Sequence, residues 1–451
     1  MTSVLGILLL VVLGLPLAYS VTRAVPLALV FAPIAGAAVA TGGVLLMIVA
    51  GGPLLPWIVP VFVLTGAIAY WKRRAAPVPL GRWRDALLLT VPLVPPFLPI
   101  VRQPLLWDAH MIWWLHAGYF EQGSAFTRES IGNPALSFSH QDYPPLASAP
   151  VALVWRVLGT HEFYPAAIVS GVLTFSAVAA AVYALRLVTA AGPALVSWAA
   201  AVAVGWSAFS PLWMVPTAGF SDAMCAAAFA AGVVLLVLGR EPFGPTLPLA
   251  MLLLSSAALM KNEGLSMVLA LAVVGTVKYR RSIRRIGWVW LPVGVAAVWS
   301  AVARALGART DVLTGGRFEA LLHGDPDTAG RFPHVFATMA GRVDWIVGYA
   351  MIAALLGLLF LRGRRRALGV GEDLWLWAVA GLYWCALTLI YMITPMPLEW
   401  HLSTSVDRVV ILIVVLACAS AATWAVTALH GPGGPAAAGA PAPAEEAGAR
   451  V

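Results

Sequence analysis

Apolar residues in this chain come in long unbroken runs, with polar residues gathered between them. Thirteen such runs, most of them near twenty residues long, cover 3–20, 25–49, 54–71, 86–101, 162–187, 193–210, 222–239, 246–261, 264–278, 286–304, 345–361, 374–394 and 408–428. A run of about twenty apolar residues matches the hydrocarbon thickness that one helix crosses. Lipid offers the backbone no hydrogen-bond partner, so a spanning segment is a helix or a strand of a closed barrel. Barrel strands alternate apolar and polar residues, and these runs do not. The pattern therefore predicts an all-α polytopic membrane protein with about 13 transmembrane helices. The first run lacks a basic leader and a clear cleavage site, so it reads as a retained span and not as a signal peptide. Runs 246–261 and 264–278 nearly abut at Lys261-Asn262-Glu263-Gly264.

Three polar excursions interrupt the runs. Residues 102–161 carry WDAHMIWWLHAGYF and then SHQDYPPL, residues 305–344 carry RFEALLHGDPDTAGRFPH, and 394–407 read TPMPLEWHLSTSVD. The remainder, 431–451, is a Gly/Ala/Pro tail that cannot bury a core and is predicted to be disordered. The organisation expected is one membrane domain, 1–430, with 1–71 as extra N-terminal helices and 102–161 as the loop most suited to chemistry. No internal repeat is visible, which speaks against transporter folds built from duplicated halves.

Charge gives the runs a direction. The net charge is +8, yet only 11% of residues are charged and 61% are hydrophobic, with mean hydropathy +0.88. The basic clusters Lys72-Arg73-Arg74, Arg280-Arg281 with Arg284-Arg285, and Arg364-Arg365-Arg366 lie in short connections, the positive-inside pattern of a membrane protein. They are not a nucleic-acid footprint, and no nucleic-acid partner is expected. This orientation puts the N-terminus outside, the C-terminal tail in the cytoplasm and 102–161 outside. It places 18 of the 28 Lys and Arg inside but 14 of the 20 Asp and Glu outside, with seven of the eight histidines. Acids and histidines drive topology little, so their gathering on one face points to a polar extracytoplasmic site. Cys225, Cys385 and Cys418 all fall in predicted spans and read as packing residues.

Four patches on that face could carry chemistry. Asp108 stands where an N-cap would precede AHMIWWLHAGYF, whose Met111, Leu115 and Tyr119 share a helical stripe. Such a helix would lie flat at the lipid–water boundary and hold an ionised carboxylate at headgroup level. Asp108 could equally be only a cap. His140-Gln141-Asp142-Tyr143-Pro144-Pro145 is stiffened by its prolines, and in an extended segment His140 and Asp142 would face the same way, as a pair of divalent-metal ligands or a substrate clamp. Lys261 is the one lysine assigned outside and stands at the end of an apolar run. It could pair with Glu263 to close a hairpin, or offer a point charge to a phosphate. Glu399, Trp400, His401, Asp407 and Arg408 bracket the last span, where Arg408 could also snorkel to headgroups. Asp222, in GFSDA, reads as a helix cap.

Taken in order, the acid of an external first loop, the Asp142-Tyr143-Pro144-Pro145 return, Lys261-Asn262-Glu263-Gly264 and Trp400-His401 followed by Ser403-Thr404-Ser405-Val406-Asp407-Arg408 resemble the GT-C superfamily over roughly 86–430. Its members are polytopic glycosyltransferases using lipid-phosphate-linked sugars, among them the protein O-mannosyltransferase and aminoarabinose transferase branches. The resemblance implies that Asp108 activates the acceptor, and that Asp142, Tyr143, Lys261, Glu263, His401 and Arg408 contact donor phosphate or acceptor. The chain departs from the family pattern in two places: Ala109 follows Asp108 where many members have a second acid, and three spans precede the matching one. The activity implied is transfer of a sugar from a polyprenyl-phosphate donor to a glycan, lipid or protein acceptor, in contact with membrane lipids. A divalent metal is the cofactor to be tested for. A transporter or flippase of lipid-linked or anionic substrates is the rival; it would need ionisable groups deep in the spans, which are few.

Overall fold

The computed structural model describes residues 2–98, 107–208, 219–310, 316–367 and 373–429. The described residues form helices and their connections, with no strand among them. The tail 431–451 lies outside them, as do 99–106 and 311–315 in the two long loops. The helices are α1 (Thr2–Thr22), α2 (Val25–Ala50), α3 (Leu55–Lys72), α4 (Trp83–Thr90), α5 (Val94–Phe97), α6 (Leu115–Glu121), α7 (Ser124–Gly132), α8 (Ala149–Leu158), α9 (Phe163–Val188) and α10 (Ala194–Ser207). They continue with α11 (Asp222–Val237), α12 (Leu247–Ala258), α13 (Asn262–Lys278), α14 (Ile283–Ala305), α15 (Arg317–Leu322) and α16 (Pro326–Ala329). The last four are α17 (Phe332–Ala367), α18 (Leu374–Ile393), α19 (Leu398–Val409) and α20 (Ile411–Ala428).

Eight helical stretches among the described residues are long and apolar enough to cross a membrane: α1, α2, α3, α9, α14, Trp345–Arg365 of α17, α18, and Leu398–Ala428, which joins α19 to α20. Such helices are compatible with an integral membrane protein. The other five predicted spans are shorter or broken. Pro92, Pro95 and Pro96 divide the described part of 86–101 into α4, a tight turn and α5, because proline removes a donor and clashes with the preceding turn. The remaining four are α10, α11, α12 and α13, of 14, 16, 12 and 17 residues. At 1.5 Å per residue, α11 is only about 24 Å long. It can be short because it meets protein and not lipid: all sixteen of its residues are buried. Its Ala-rich first half (DAMCAAAFAAG) lets α9 and α12 approach closely, as small residues do between membrane helices.

Two predicted loops are largely helical. Residues 332–344 belong to α17, and 398–407 form most of α19, which begins after Pro397 and buries Leu402, Ser405, Val406 and Val409 along one face. Large apolar side chains point outward from α3 and α17, among them Val63, Leu64, Leu359 and Phe360. Near the N-terminus α1 and α2 cross with almost no gap. A Cβ on Gly14 would stand 1.9 Å from the Ala32 carbonyl oxygen, and one on Gly36 2.4 Å from that of Leu10.

Contacts between distant segments sort the helix ends into two sets. At one end Arg23 donates to the Pro245 carbonyl, the Val78 amide to Thr22, Tyr183 to Pro79, Lys278 to Val237 and Tyr279 to Leu236. At the other, Arg128 reaches the Ile48 carbonyl, the Leu146 amide bonds Leu259, and the 140–146 return meets the starts of α11 and α13. The basic clusters at 72–74 and 280–285 fall at the first end. The histidines and acids of 108–162 fall at the second.

Candidate functional site

Five charged side chains from four separate parts of the chain converge at the second end. α11 starts with Asp222, whose carboxylate is almost wholly buried and accepts from Lys261 Nζ at 2.8 Å. Lys261 immediately precedes α13 and is also 2.9 Å from Oε1 of Glu263, the second residue of that helix. Arg408, near the end of α19, forms a short ion pair with Asp108 and lies 3.9 Å from Asp222 Oδ2, its guanidinium over the Phe220 ring. Asp222 thus stands between the two cations. Three carboxylates face two cations, so the group carries one net negative charge when all are ionised. Asp108 is its most accessible member, with 24% of its side chain exposed against 3% for Asp222.

Local sequence explains the placement. Residues 259–261 turn α12 back into α13 so tightly that a Cβ on Gly264 would stand 2.1 Å from the Ala257 carbonyl oxygen. That close approach requires glycine at 264 and aims Lys261 inward. Asp108 precedes a π-helical stretch, Ala109–Trp114, that runs into α6. Its carboxylate makes no capping bond; it turns to Arg408 instead. The flat interfacial helix expected here is not what forms, because Trp113, Trp114 and Tyr119 are buried in protein while Met111 is exposed.

The 140–145 return is a turn and not an extended segment. His140 is left-handed (φ 54°), and the Tyr143 amide bonds its carbonyl at 2.8 Å. The alternation that would aim His140 and Asp142 together is therefore absent. The His140 ring stacks on Tyr143 at 4.8 Å, and Tyr143 on Trp113 at 5.4 Å. Asp142 Oδ2 accepts from Asn262 at 2.7 Å, and its carbonyl from Trp299 Nε1 at 2.8 Å. No group of three His, Cys, Asp or Glu side chains able to hold a metal occurs among the described residues. The turn is pinned from below by His116, whose Nε2 lies 2.9 Å from the Ser139 carbonyl. Burial pushes the His116 imidazole down to about 3, so it is neutral and donates from Nε2.

The structure joins Asp108, Lys261, Glu263 and Arg408 in one network and sets Asp142 and Tyr143 against it, with Lys261 Nζ 6.0 Å from the Tyr143 ring centre. His401 is placed differently. It precedes Arg408 by two turns of α19, about 10 Å along the axis, and engages Thr394 Oγ1 at 2.8 Å and the Tyr391 ring. Asp222 is the correction: Ser221, not Asp222, is the N-cap, and Asp222 is the hub between both cations. The signal for it was an acid opening a helix that is otherwise apolar throughout. Asp222, Lys261, Glu263 and Arg408, with Cys225, Met267 and Tyr383, line a cavity with room for about one water molecule. Asp222 Oδ2, Glu263 Oε2 and Arg408 Nε are buried there without a hydrogen-bond partner among the described residues.

The described residues thus form a helical protein with eight stretches long and apolar enough to cross a membrane and a buried ionic cluster at one end of its helices. Comparison with family models, curated proteins and solved structures finds no match for this chain.

Proposed function

We propose that the chain is an inverting membrane glycosyltransferase that moves a sugar from a polyprenyl-phosphate donor to an acceptor hydroxyl on the extracytoplasmic face. The observation that carries this reading is the meeting of a partly exposed carboxylate, Asp108, with two cations, Arg408 and Lys261, held apart by Asp222. Transfer with inversion needs a base on one side of the reacting carbon and cations for the leaving phosphate on the other. Asp108 takes the proton of the acceptor hydroxyl as its oxygen bonds the anomeric carbon. The bond from that carbon to the phosphate oxygen breaks, and the electron pair leaves on the polyprenyl phosphate. Arg408 as a planar fork and Lys261 as a point charge stabilise that phosphate. The sidedness rests on the basic clusters at the opposite helix ends. The resemblance to the GT-C superfamily, carried by Asp108, Lys261, Glu263 and Arg408, supports the same reading.

The test is to incubate the purified chain with polyprenyl-phosphate sugars and measure released polyprenyl phosphate. Release with transfer, or with slow hydrolysis, is expected. Movement of intact lipid-linked sugar across a vesicle bilayer without release would replace this reading by a flippase.

A further inference from the structure

In the site as it stands, a phosphate has nowhere to sit. Arg408 is engaged by Asp108, Lys261 by Asp222 and Glu263, and the cavity between them has room for only about one water. The cluster already carries one excess negative charge, so an anion added without displacing a carboxylate would meet net repulsion. The three carboxylates differ in their freedom to leave. Asp222 is buried at the start of a helix enclosed on every side and touches both cations. Glu263 is fixed in the first turn of α13. Asp108 precedes the π-helical stretch and has the most exposed side chain of the three. Arg408 Nε and Asp222 Oδ2, both buried and without a hydrogen bond among the described residues, show that the pairing around Arg408 leaves hydrogen-bonding capacity unused.

We infer that Asp108 occupies at rest the seat of an organic phosphate on Arg408, and that the phosphate exchanges with it, so that binding a phosphate frees the carboxylate. Asp222 is then a positioning residue that keeps Lys261 and Arg408 as a paired seat through the exchange. This deepens the proposed function, and rests on it only in assigning the freed carboxylate as base. While the guanidinium engages it, the Asp108 carboxylate oxygen is occupied; freed beside a bound donor, it is open to an acceptor hydroxyl. Displacement also explains how a partly buried pair that is costly to desolvate serves a site that must bind an anion.

The exchange makes a prediction of unusual sign: removing the acid should strengthen phosphate binding. The apparent affinity of a seat that is closed most of the time is reduced by the open fraction. The full chain in detergent is titrated with farnesyl phosphate, inorganic phosphate and, as a tail-only control, farnesol. Asp108→Asn should bind farnesyl phosphate roughly ten-fold more tightly than the natural chain, on a pair closed about nine-tenths of the time. Asp108→Asn/Arg408→Gln should lose that gain, and Arg408→Lys should keep part of it should the double variant fold poorly. An equal gain for inorganic phosphate assigns recognition to the phosphate alone; a gain confined to farnesyl phosphate assigns it to a lipid phosphate. Unchanged or weaker phosphate binding by Asp108→Asn, or an equal gain for farnesol, would overturn the exchange. Sugar transfer without tighter binding would remove the exchange and leave the enzyme reading intact, whereas tighter binding without transfer in the natural chain would do the reverse.

Discussion

Asp108 and Arg408 are 300 positions apart and meet only because α19 brings the arginine back beside the first long loop. Asp108→Asn keeps the size and a hydrogen-bond acceptor while removing the basic carboxylate. Sugar transfer by that variant should fall by about 10² or more, with its melting temperature close to that of the natural chain. Normal turnover by the folded variant would take the base role from Asp108. The Lys261 partnership is asymmetric. Glu263→Gln leaves Lys261 its deeper partner Asp222, so stability should fall by about 1 kcal/mol or less. Lys261→Met leaves Asp222 buried with only the more distant Arg408, and should cost about 3–5 kcal/mol. Melting curves of the two variants decide it, and equal losses would mean that Glu263 and not Asp222 is the partner that matters.

At the scale of elements, glycine and histidine hold the loops that present these side chains. Gly264→Ala must push α12 and α13 apart against a backbone oxygen, so it should cost about 1–3 kcal/mol and disturb Lys261. Gly287→Ala, on α14 with nothing within 4 Å of its new Cβ, should be neutral or slightly stabilising. A comparable loss in both would show that helix propensity, not the hairpin, is being measured. His116 supplies a pH dependence. Its folded-state pKa of about 3 lies below the ordinary 6.5, so the unfolded chain takes up a proton first as the pH falls. Its contribution to stability is therefore full above pH 6.5 and lost progressively towards pH 3. His116→Gln retains a donor for the Ser139 carbonyl and should flatten the drop in melting temperature between pH 7 and pH 5. The hairpin glycine was legible in sequence as part of Lys261-Asn262-Glu263-Gly264, because nearly abutting runs force a tight turn. The π-helical stretch after Asp108 and the left-handed His140 were not. Trp113 of the first stacks on Tyr143 of the second, and Trp299 of α14 bonds the Asp142 carbonyl; periodicity carries no record of such contacts. Asp222 was misread for the same reason: a cap and a buried counter-ion look alike until the partner arrives from α13.

Across the whole molecule the decisive property is polarity, one end of the helices basic and the other carrying the ionic cluster. Spans covered by lipid were easy to read from hydrophobic runs, whereas α11, enclosed by protein, gave the same signal at only 16 residues. The end-to-end order of α11, α13, α14, α17 and α18 keeps the basic and cluster-bearing ends apart. α13 makes the point within one helix: Lys261 precedes its first turn and Lys278 ends its last, about 25 Å away. If the positive-inside rule governs this chain, the cluster end is the extracytoplasmic one. Cys225, Cys385 and Cys418 are first replaced, and single cysteines are then introduced at exposed positions. Glu129→Cys and Asp327→Cys should react with a membrane-impermeant maleimide added to intact cells. Arg74→Cys and Arg281→Cys should react only after the membrane is opened. The reverse pattern would turn Asp108 and Arg408 toward the cytoplasm, where a transferase could draw on nucleotide-activated donors. Labelling of all four from outside would mean that the two ends do not lie on opposite sides of one bilayer, and the helices would then have to be re-read as a protein that lies on the membrane instead of crossing it.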